Sequence, residues 1–245
     1  MSKGVCIFAD STESNYAKVA ARSAKTYMDL PVVIVSNTPE QFKGFNEARV
    51  VRVPWVNDGD YISSQDHYWK IGWATPFDET LVVGPRMCLT SSITHWIDSM
   101  SHMDLWFCTS YIDHVGKDLV YRQHPVSRCS SNLFYFRQSK IASEFFCTLE
   151  QVYRNWKEFY KHHLNAPIPS DFDHDLCFAI AAHLVDHYIG DYKDMDISSM
   201  VDMRDVPHSQ QPTYITNEND IYVANYKQTS PIFYSDLEIY SKLFC

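Results

Sequence analysis

Acidic residues and histidines occur in the chain at spacings that suit metal binding or proton transfer. One Asp-x-Asp triplet, Asp58-Gly59-Asp60, lies in a turn-forming sequence that follows a predicted strand. Turn formation is therefore its preferred interpretation, and a relocated metal site is the alternative. His183 and His187 stand four residues apart on one face of a predicted helix, which also suits a metal. Because no third ligand accompanies them, ordinary helix histidines are the preferred interpretation.

A second triplet, Asp173-His174-Asp175, lies near the start of a predicted helix. Ser170 can cap this helix, and Asp173 then occupies the third helical position, which is a capping-box arrangement. Asp173 is therefore predicted to be structural. Asp175 lies beside an apolar stripe at residues 172, 176, 180 and 184, so we expect a partly buried carboxylate there.

The first 53 residues have the pattern of a parallel sheet. Apolar runs at 5–9, 31–35 and 48–53 predict strands, and an Ala-rich helical pattern fills residues 15–28. Continuous apolar strands that alternate with helices are typical of a buried parallel sheet. Ligands bind such sheets at the carboxyl ends of the strands. The candidate nucleotide site therefore consists of four residues that follow the first two strands, Asp10, Ser11, Ser36 and Asn37.

The remaining patterns complete an α/β fold. Helices are predicted at residues 65–74, 91–100, 140–163 and 170–187. Strands are predicted at 80–83, 105–112 and 132–136, and further strands or a hairpin at 213–226 and 232–240. Since no linker interrupts these elements, we expect a single domain over residues 1–245.

Composition excludes several classes of protein. The net charge of −9 disfavours broad nucleic-acid binding, although one local basic groove remains compatible with it. No segment approaches the roughly 20 apolar residues of a membrane span. The N-terminal sequence lacks a signal-peptide layout. Seven cysteines without a C-x-x-C pair indicate reduced, mostly buried thiols, so we expect a cytoplasmic protein.

Three stretches carry a family resemblance. They read TPFDETLVV at 75–83, SNLFYFRQS at 131–139 and DHDLCFAIAAH at 173–183. In order and spacing they resemble motifs of small phage and bacterial sugar transferases of the GT-A fold. With the N-terminal strand, helix and strand, the resemblance covers roughly residues 4 to 187. It implies a GT-A-like, Rossmann-like mixed sheet, mainly parallel and flanked by helices.

The resemblance also implies a function and roles for particular residues. The expected reaction moves a sugar from a nucleotide-diphosphate sugar, with a UDP-sugar favoured, to an acceptor hydroxyl. Asp175 would take the proton of that hydroxyl, which requires that it reach the hydroxyl directly. Lys70 would face the nucleotide-sugar, with a solvated surface lysine as an equal alternative. His208 would contact the diphosphate.

The chain departs from the family where its metal-binding D-x-D triplet would stand. The sequence there is Gly84-Pro85-Arg86, and neither Gly84 nor Arg86 can ligate a cation. Arg86 could instead offer a fixed positive charge to the phosphates. We therefore expect transfer without Mn²⁺ or Mg²⁺, with Arg86 as a catalytic and donor-binding residue. The alternative is a catalytically inactive protein that binds a nucleotide-sugar or another partner.

The acceptor is not encoded in a recognisable motif. Phage members of this type suggest a hydroxymethylated pyrimidine in DNA, which would place the protein in the host cytoplasm. A protein, lipid or small-molecule acceptor is the alternative. A DNA acceptor would require basic side chains near the donor pocket. The candidates are Arg122, Arg128, Lys140 and Arg204.

Overall fold

The computed structural model describes residues 1–53, 68–119, 126, 129–164, 172–185, 199–203, 213–216 and 219–243. Several residues singled out from the sequence lie outside these ranges, so what was predicted for them stays a prediction. They are Asp58, Asp60, Arg122, Arg128, Ser170, His187, Arg204 and His208.

A six-stranded sheet forms the centre of the fold. Its strands are β1 (Lys3–Phe8), β2 (Val32–Ser36), β3 (Arg49–Arg52), β4 (Glu79–Val83), β6 (Leu105–Phe107) and β8 (Leu133–Arg137), in the order β3-β2-β1-β4-β8-β6. Strands β1 to β4 are mutually parallel, and β8 runs antiparallel to both of its neighbours. The sheet is therefore mixed and mainly parallel, which confirms the fold class expected from the sequence.

The parallel strands give the sheet two distinct edges. We call the edge where β1 to β4 begin the amino edge, and the edge where they end the carboxyl edge. Strand β1 lies between β2 and β4, so the strand order reverses beside it. Such a switch point opens a crevice at the carboxyl edge, which is where ligands of these sheets bind. The loops after β1, β2 and β4 all lie at this edge.

Helices cover both faces of the central sheet. On one face, α1 (Ser14–Tyr27) and α3 (Thr94–Met100) pack apolar side chains such as Ala20 and Trp96 against β1, β2 and β4. On the other face, α4 (Lys140–Arg154) and α6 (His174–Val185) pack against the opposite sides of the same strands. Alternate residues of a strand point to opposite faces, so β8 contributes Phe134 and Phe136 to one layer and Tyr135 to the other.

Two smaller sheets contain the C-terminal strands of the chain. One contains β5 (Met87–Cys88), β7 (Ser110–Ile112), β9 (Ser199–Asp202) and β13 (Ile232–Phe233), in the order β5-β13-β9-β7. The other is an antiparallel meander of β10 (Thr213–Ile215), β11 (Ile221–Val223) and β12 (Tyr226–Gln228). Since β5 directly continues the chain from β4, the first of these sheets extends the fold beyond the carboxyl edge.

Several predicted elements differ from the observed ones. The strand expected at 105–112 is two strands, β6 and β7, which belong to different sheets. The helix expected at 140–163 ends at Arg154, and after Asn155 a second helix, α5 (Trp156–Leu164), begins. The helix expected from 170 begins at His174. Part of the strand expected at 232–240 is a helix, α7 (Leu237–Leu243).

Two short elements complete the description, a 3-10 helix at Pro39–Phe42 and α2 (Ile71–Ala74). None of the helices in the described ranges has the length and apolar character that crossing a lipid bilayer requires. Among the cysteines of those ranges, Cys147 is exposed and the other five are buried. The predicted burial of most thiols is therefore confirmed.

Candidate functional site

The loop after β1 is held by the carboxylate of Asp10. Its Oδ1 accepts hydrogen bonds from the backbone N–H of Thr12 at 2.7 Å, from the Thr12 hydroxyl at 2.6 Å and from the N–H of Glu13 at 3.0 Å. Thr12 and Glu13 lie just before α1, so Asp10 fixes the chain where it enters the helix. Ser11 is exposed beside it. Asp10 therefore fixes the conformation of the loop that was predicted to form part of the nucleotide site.

The loop after β2 contains a buried serine and a buried amide oxygen. Ser36 is fully buried, and its Oγ accepts a hydrogen bond from the N–H of Thr38 at 3.1 Å. In this conformation Ser36 positions the loop. The Oδ1 of Asn37 is buried and has no hydrogen-bond partner. A buried acceptor without a donor is unfavourable, and a ligand that supplies the donor removes that penalty.

The segment after β4 approaches the start of β8 very closely. The N–H of Gly84 donates to the carbonyl of Asn132 at 2.7 Å. A Cβ at position 84 would stand 2.3 Å from Asn132 Oδ1, so an aspartate does not fit there unless the Asn132 side chain shifts. The resemblance places the first carboxylate of the metal triplet at this position. The packing of Gly84 thus agrees with its lack of any ligating atom.

Arg86 lies at the carboxyl edge, where it contacts Tyr16 of α1 and Glu13, the residue before that helix. Its Nε is 3.5 Å from Oε1 of Glu13, and its guanidinium carbon is 4.7 Å from the ring centre of Tyr16. The Glu13 side chain is only 5% exposed, whereas that of Arg86 is 41% exposed. The carbonyl of Arg86 accepts the N–H of Tyr234 at 3.0 Å. Arg86 thus presents a partly exposed positive charge beside the switch point.

Asp175 is a buried carboxylate in the first turn of α6. Its Oδ1 accepts from the N–H of Ser131 at 2.8 Å and from the Ser131 hydroxyl at 2.7 Å, and its Oδ2 accepts from the Tyr111 hydroxyl at 2.9 Å. Asp175 is 6% exposed, so the predicted partial burial is confirmed and exceeded. Asp175 therefore connects α6 to Tyr111 of β7 and to Ser131. Ser131 precedes Asn132, which contacts Gly84.

Tyr68 and Lys70 approach this region from the chain that leads to β4. Tyr68 is 5% exposed, its ring packs on Phe8 at the end of β1, and its hydroxyl has no hydrogen-bond partner. Burial raises the pKa of Tyr68 well above its usual range, and the nearby charges of Glu13 and Asp175 add to this. Lys70 is buried at 4% exposure. The alternative of a solvated surface lysine is therefore wrong.

Among the described residues, no group of three or more His, Cys, Asp or Glu side chains is close enough to hold a metal ion. His183 is exposed on α6. Asp173 is the residue before α6, and its Oδ1 accepts the N–H of Leu176 at 3.1 Å, so its predicted structural role is confirmed. It caps the helix itself, however, and does not occupy the third helical position.

Lys140 lies at the wrong edge for its predicted role. Strand β8 is antiparallel to β4, and Arg137 at its end pairs with Glu79 at the start of β4. Lys140, which begins α4 three residues later, is therefore at the amino edge. It cannot contribute positive charge beside a donor pocket at the carboxyl edge.

Several residues of the site were not anticipated from the sequence. They are Glu13, Tyr16, Tyr68, Tyr111 and Ser131. Ser131 pairs with Asp175 across 44 positions and Tyr111 with Asp175 across 64. Only Glu13 had a local signal, because it follows directly on the Asp10-Ser11 loop.

Solved structures with a similar fold include glycosyltransferases. Galactosyltransferase LgtC in complex with donor and acceptor sugar analogues superposes with a TM-score of 0.50 and 15% identity, over 74% of this chain and 70% of that one. The fold is of the GT-A type. An active-site mutant of LgtC gives a TM-score of 0.50 at 16% identity over the same shares. Glycosyltransferase GlyE of Streptococcus pneumoniae TIGR4 gives 0.48 at 10% identity, over 76% of this chain and 44% of that one.

At the level of sequence the comparison is negative. No protein-family model matches the chain, and no curated protein sequence matches it. The likeness to LgtC, at 15% to 16% identity, therefore establishes the fold, as the topology of the central sheet does independently.

Proposed function

We propose that the protein transfers a sugar from a nucleotide-diphosphate sugar, preferably a UDP-sugar, to an acceptor hydroxyl. The observation that carries the proposal is the position of Arg86. A partly exposed guanidinium stands at the carboxyl end of β4, beside the switch point of a GT-A sheet. In this fold the same place serves the diphosphate of the donor, according to the resemblance described above.

The nucleotide-binding part of the proposal rests on the loops after β1 and β2. Asp10 fixes the first loop through three hydrogen bonds, and Ser36 fixes the second. The Oδ1 of Asn37 lacks a hydrogen-bond donor. This supports ligand binding at this loop, because a base or ribose can supply the missing donor. Ser11, exposed on the first loop, is proposed to contact the donor directly.

Arg86 is proposed to stabilise the leaving group. Breaking the bond between sugar and phosphate puts negative charge on the departing nucleotide, and a preorganised cation lowers the free energy of that transition state. Glu13 and the face of the Tyr16 ring already hold the guanidinium in place. Arg86 would turn one or more of its N–H groups to the diphosphate while Glu13 keeps it oriented. Lys70, buried in the chain before β4, is proposed to assist.

Asp175 is proposed to act on the acceptor side. A direct role as the base requires that an acceptor hydroxyl reach one of its oxygens. Its three hydrogen bonds also allow a positioning role, in which it fixes Ser131 and Tyr111 beside the reacting groups. The two roles differ in how much turnover depends on the proton acceptor. Asp175→Asn cannot take a proton, so kcat should fall by about 10²- to 10⁴-fold only in the first case.

Two classes of acceptor are proposed. A hydroxymethylated pyrimidine in DNA is one acceptor, and a protein, lipid or small molecule is the other. Lys140 no longer supports the first, because it lies at the amino edge. Incubation of hydroxymethylated and unmodified DNA with the protein and a UDP-sugar, followed by mass spectrometry, separates the two. An added hexose mass on hydroxymethylated DNA alone supports a DNA acceptor.

The donor is tested by a thermal-shift screen of UDP-, GDP- and dTDP-sugars. A ligand present at 100 times its dissociation constant should stabilise the protein by about 2.7 kcal/mol. Hydrolysis of the best donor is then measured with and without EDTA. Binding with hydrolysis in EDTA supports a metal-independent transferase. Binding without hydrolysis or transfer supports the alternative, an inactive nucleotide-sugar-binding protein, and no binding of any donor contradicts both.

A further inference from the structure

A groove of about 600 Å³ lies on the side of α4, away from the donor loops. Residues 75–78 lead into β4, and Gln138 follows β8, so both belong to the amino edge. The opposite wall is a stripe of α4 that includes Ser143 and Glu150. This volume falls in the range of pockets that hold small ligands. The groove is therefore large enough for a ligand of its own.

Aromatic surface dominates one wall of the groove. Trp73 is 59% exposed, which is unusual for a residue of this size, and Trp69 and Pro76 flank it. The wall comes close to α4 because residue 72 is glycine: a Cβ there would stand 2.2 Å from the Phe146 ring. An indole face that the fold leaves open to solvent is a suitable surface for the C–H groups of a ring-shaped ligand.

The two carboxylates of the groove, Asp78 and Glu150, already accept hydrogen bonds from the chain. Asp78 accepts from the N–H of Ser2 at 2.8 Å and from its hydroxyl at 3.2 Å. Glu150 accepts from Arg154 through Nε at 3.0 Å and through a terminal nitrogen at 2.8 Å. A cationic ligand would have to compete with these donors. A neutral ligand with several hydroxyl groups can share the remaining acceptor positions of both carboxylates.

We infer that this groove binds the pyranose ring of a neutral carbohydrate, with Trp73 as the stacking platform and Asp78 and Glu150 as hydroxyl acceptors. The site is separate from the donor site, and the inference does not depend on sugar transfer. A second carbohydrate site on a different face would let the protein hold a glycan at two points, which raises its effective concentration.

The inference is tested by binding of methyl glycosides of glucose, galactose, mannose and N-acetylglucosamine. Saturation-transfer NMR and tryptophan fluorescence should report saturable binding of at least one of them. Trp73→Ala should weaken that binding by about tenfold, whereas Trp73→Phe, which keeps an aromatic face, should stay within about threefold. Tyr226→Ala is the matched control, since Tyr226 is an exposed aromatic (53%) far along the chain, on β12.

Three results would overturn the inference. They are no saturable response to any of the four glycosides, equal loss in Tyr226→Ala and Trp73→Ala, and tighter Trp73-dependent binding of choline, which would indicate a cation site. The Arg86→Ala variant separates this site from the proposed function. It should bind the methyl glycosides unchanged, even though its transfer activity is expected to be lost.

Discussion

The two edges of the central sheet bury polar groups in different ways. At the amino edge, Glu79 accepts from the Tyr135 hydroxyl at 3.0 Å and lies 3.4 Å from Lys3, and Asp104 accepts from Arg137 at 2.8 Å. At the carboxyl edge, the hydroxyl of Tyr68 and the amide oxygen of Asn37 are buried without hydrogen bonds. Paired groups stabilise the folded state, whereas unmet groups lower its stability.

This difference indicates that the two edges of the sheet have different roles. Unsatisfied polar atoms in a native protein need an explanation, and a ligand that completes them is a common one. At the amino edge the paired groups fix the strands, and the buried Nε1 of Trp69 in the groove is an exception without a hydrogen-bond partner. At the carboxyl edge, Tyr68 and Asn37 retain polar atoms that a bound ligand would complete.

The largest effect is expected from Arg86→Ala. If Arg86 meets the charge of the leaving nucleotide, transfer should fall by roughly 10²-fold or more, the scale of removing one preorganised donor. Its partner Glu13 is only 5% exposed, so the variant leaves a buried carboxylate without this cation and should also lose stability. Steady-state kinetics with EDTA present measure the effect. Arg86→Lys keeps a positive charge but not the planar guanidinium, so its transfer rate should lie between those of the parent and Arg86→Ala.

A fully active Arg86→Ala variant would contradict this role. So would an enzyme that EDTA inactivates and Mn²⁺ restores, because a metal would then supply the charge assigned to Arg86.

Asp175→Asn should affect both activity and stability. The amide can keep the acceptor for Ser131, but it replaces a charged acceptor of the Tyr111 hydroxyl with an NH₂ group. A hydrogen bond to a charged group contributes about 1.5–3 kcal/mol, so the free energy of unfolding should fall by about 2 kcal/mol. Urea denaturation and transfer kinetics measure the two effects.

Asp173→Asn is the matched control two residues earlier. Asparagine caps helices about as well as aspartate, so this variant should lose only a few tenths of a kcal/mol. Equal losses in both variants would mean that Asp175 matters only as a residue of the helix terminus.

Tyr68→Phe should raise stability, which is the opposite of the usual effect of a buried substitution. It removes a hydroxyl that has no hydrogen-bond partner and keeps the ring that packs on Phe8 and Phe178. The free energy of unfolding should rise by about 1 kcal/mol. If the hydroxyl serves a bound ligand, donor affinity should fall at the same time, which is a common trade between stability and function.

Tyr135→Phe at the amino edge provides the comparison for Tyr68→Phe. Its hydroxyl donates to buried Glu79, so the same chemical change should lower stability there, by about 1.5 kcal/mol or more. A loss of stability in both variants would remove the distinction between the edges.

The sequence was sufficient for much of the fold because local patterns determine it. Apolar runs followed by turn residues predicted β1, β2 and β3 to within about two residues at each end, as expected when burial on both faces selects the strand residues. The two loops of the candidate donor site followed from that topology. A continuous helical pattern at 140–163 concealed the break at Asn155, whose side chain donates to the carbonyl of Gln151.

The rest depends on contacts between distant parts of the chain. The run at 105–112 looks like one strand, but after Phe107 the chain leaves the central sheet, and the N–H of Cys108 donates to Leu133 while its carbonyl accepts from Ser130. The neighbours of Asp175 and Arg86 come together only when these strands are in place. Periodicity carries no information about such pairs, so the sequence indicated single residues of the site and not their partners.

The smallest predicted effect tests the amino edge at the mouth of the groove. The backbone N–H of Ser2, and then its hydroxyl, hold the pKa of the exposed Asp78 below its usual range. A carboxyl with a lowered pKa in the folded state stabilises the protein above the pKa of the unfolded chain, and this contribution is lost as the pH falls through the folded value. Below about pH 4, Asp78→Asn should therefore lose less stability than the parent does.

Thermal unfolding of the two proteins between about pH 3 and pH 6 measures this effect, since the range spans the ordinary pKa of aspartate. The parent curve should fall towards acid more steeply than the variant curve, and the difference should be small because both partners are exposed. Parallel curves would show that the contact with Ser2 is absent in solution. Asp78 would then be free to accept two further hydroxyl groups, and Ser2→Ala, which removes only the hydroxyl of that contact, would leave carbohydrate binding unchanged.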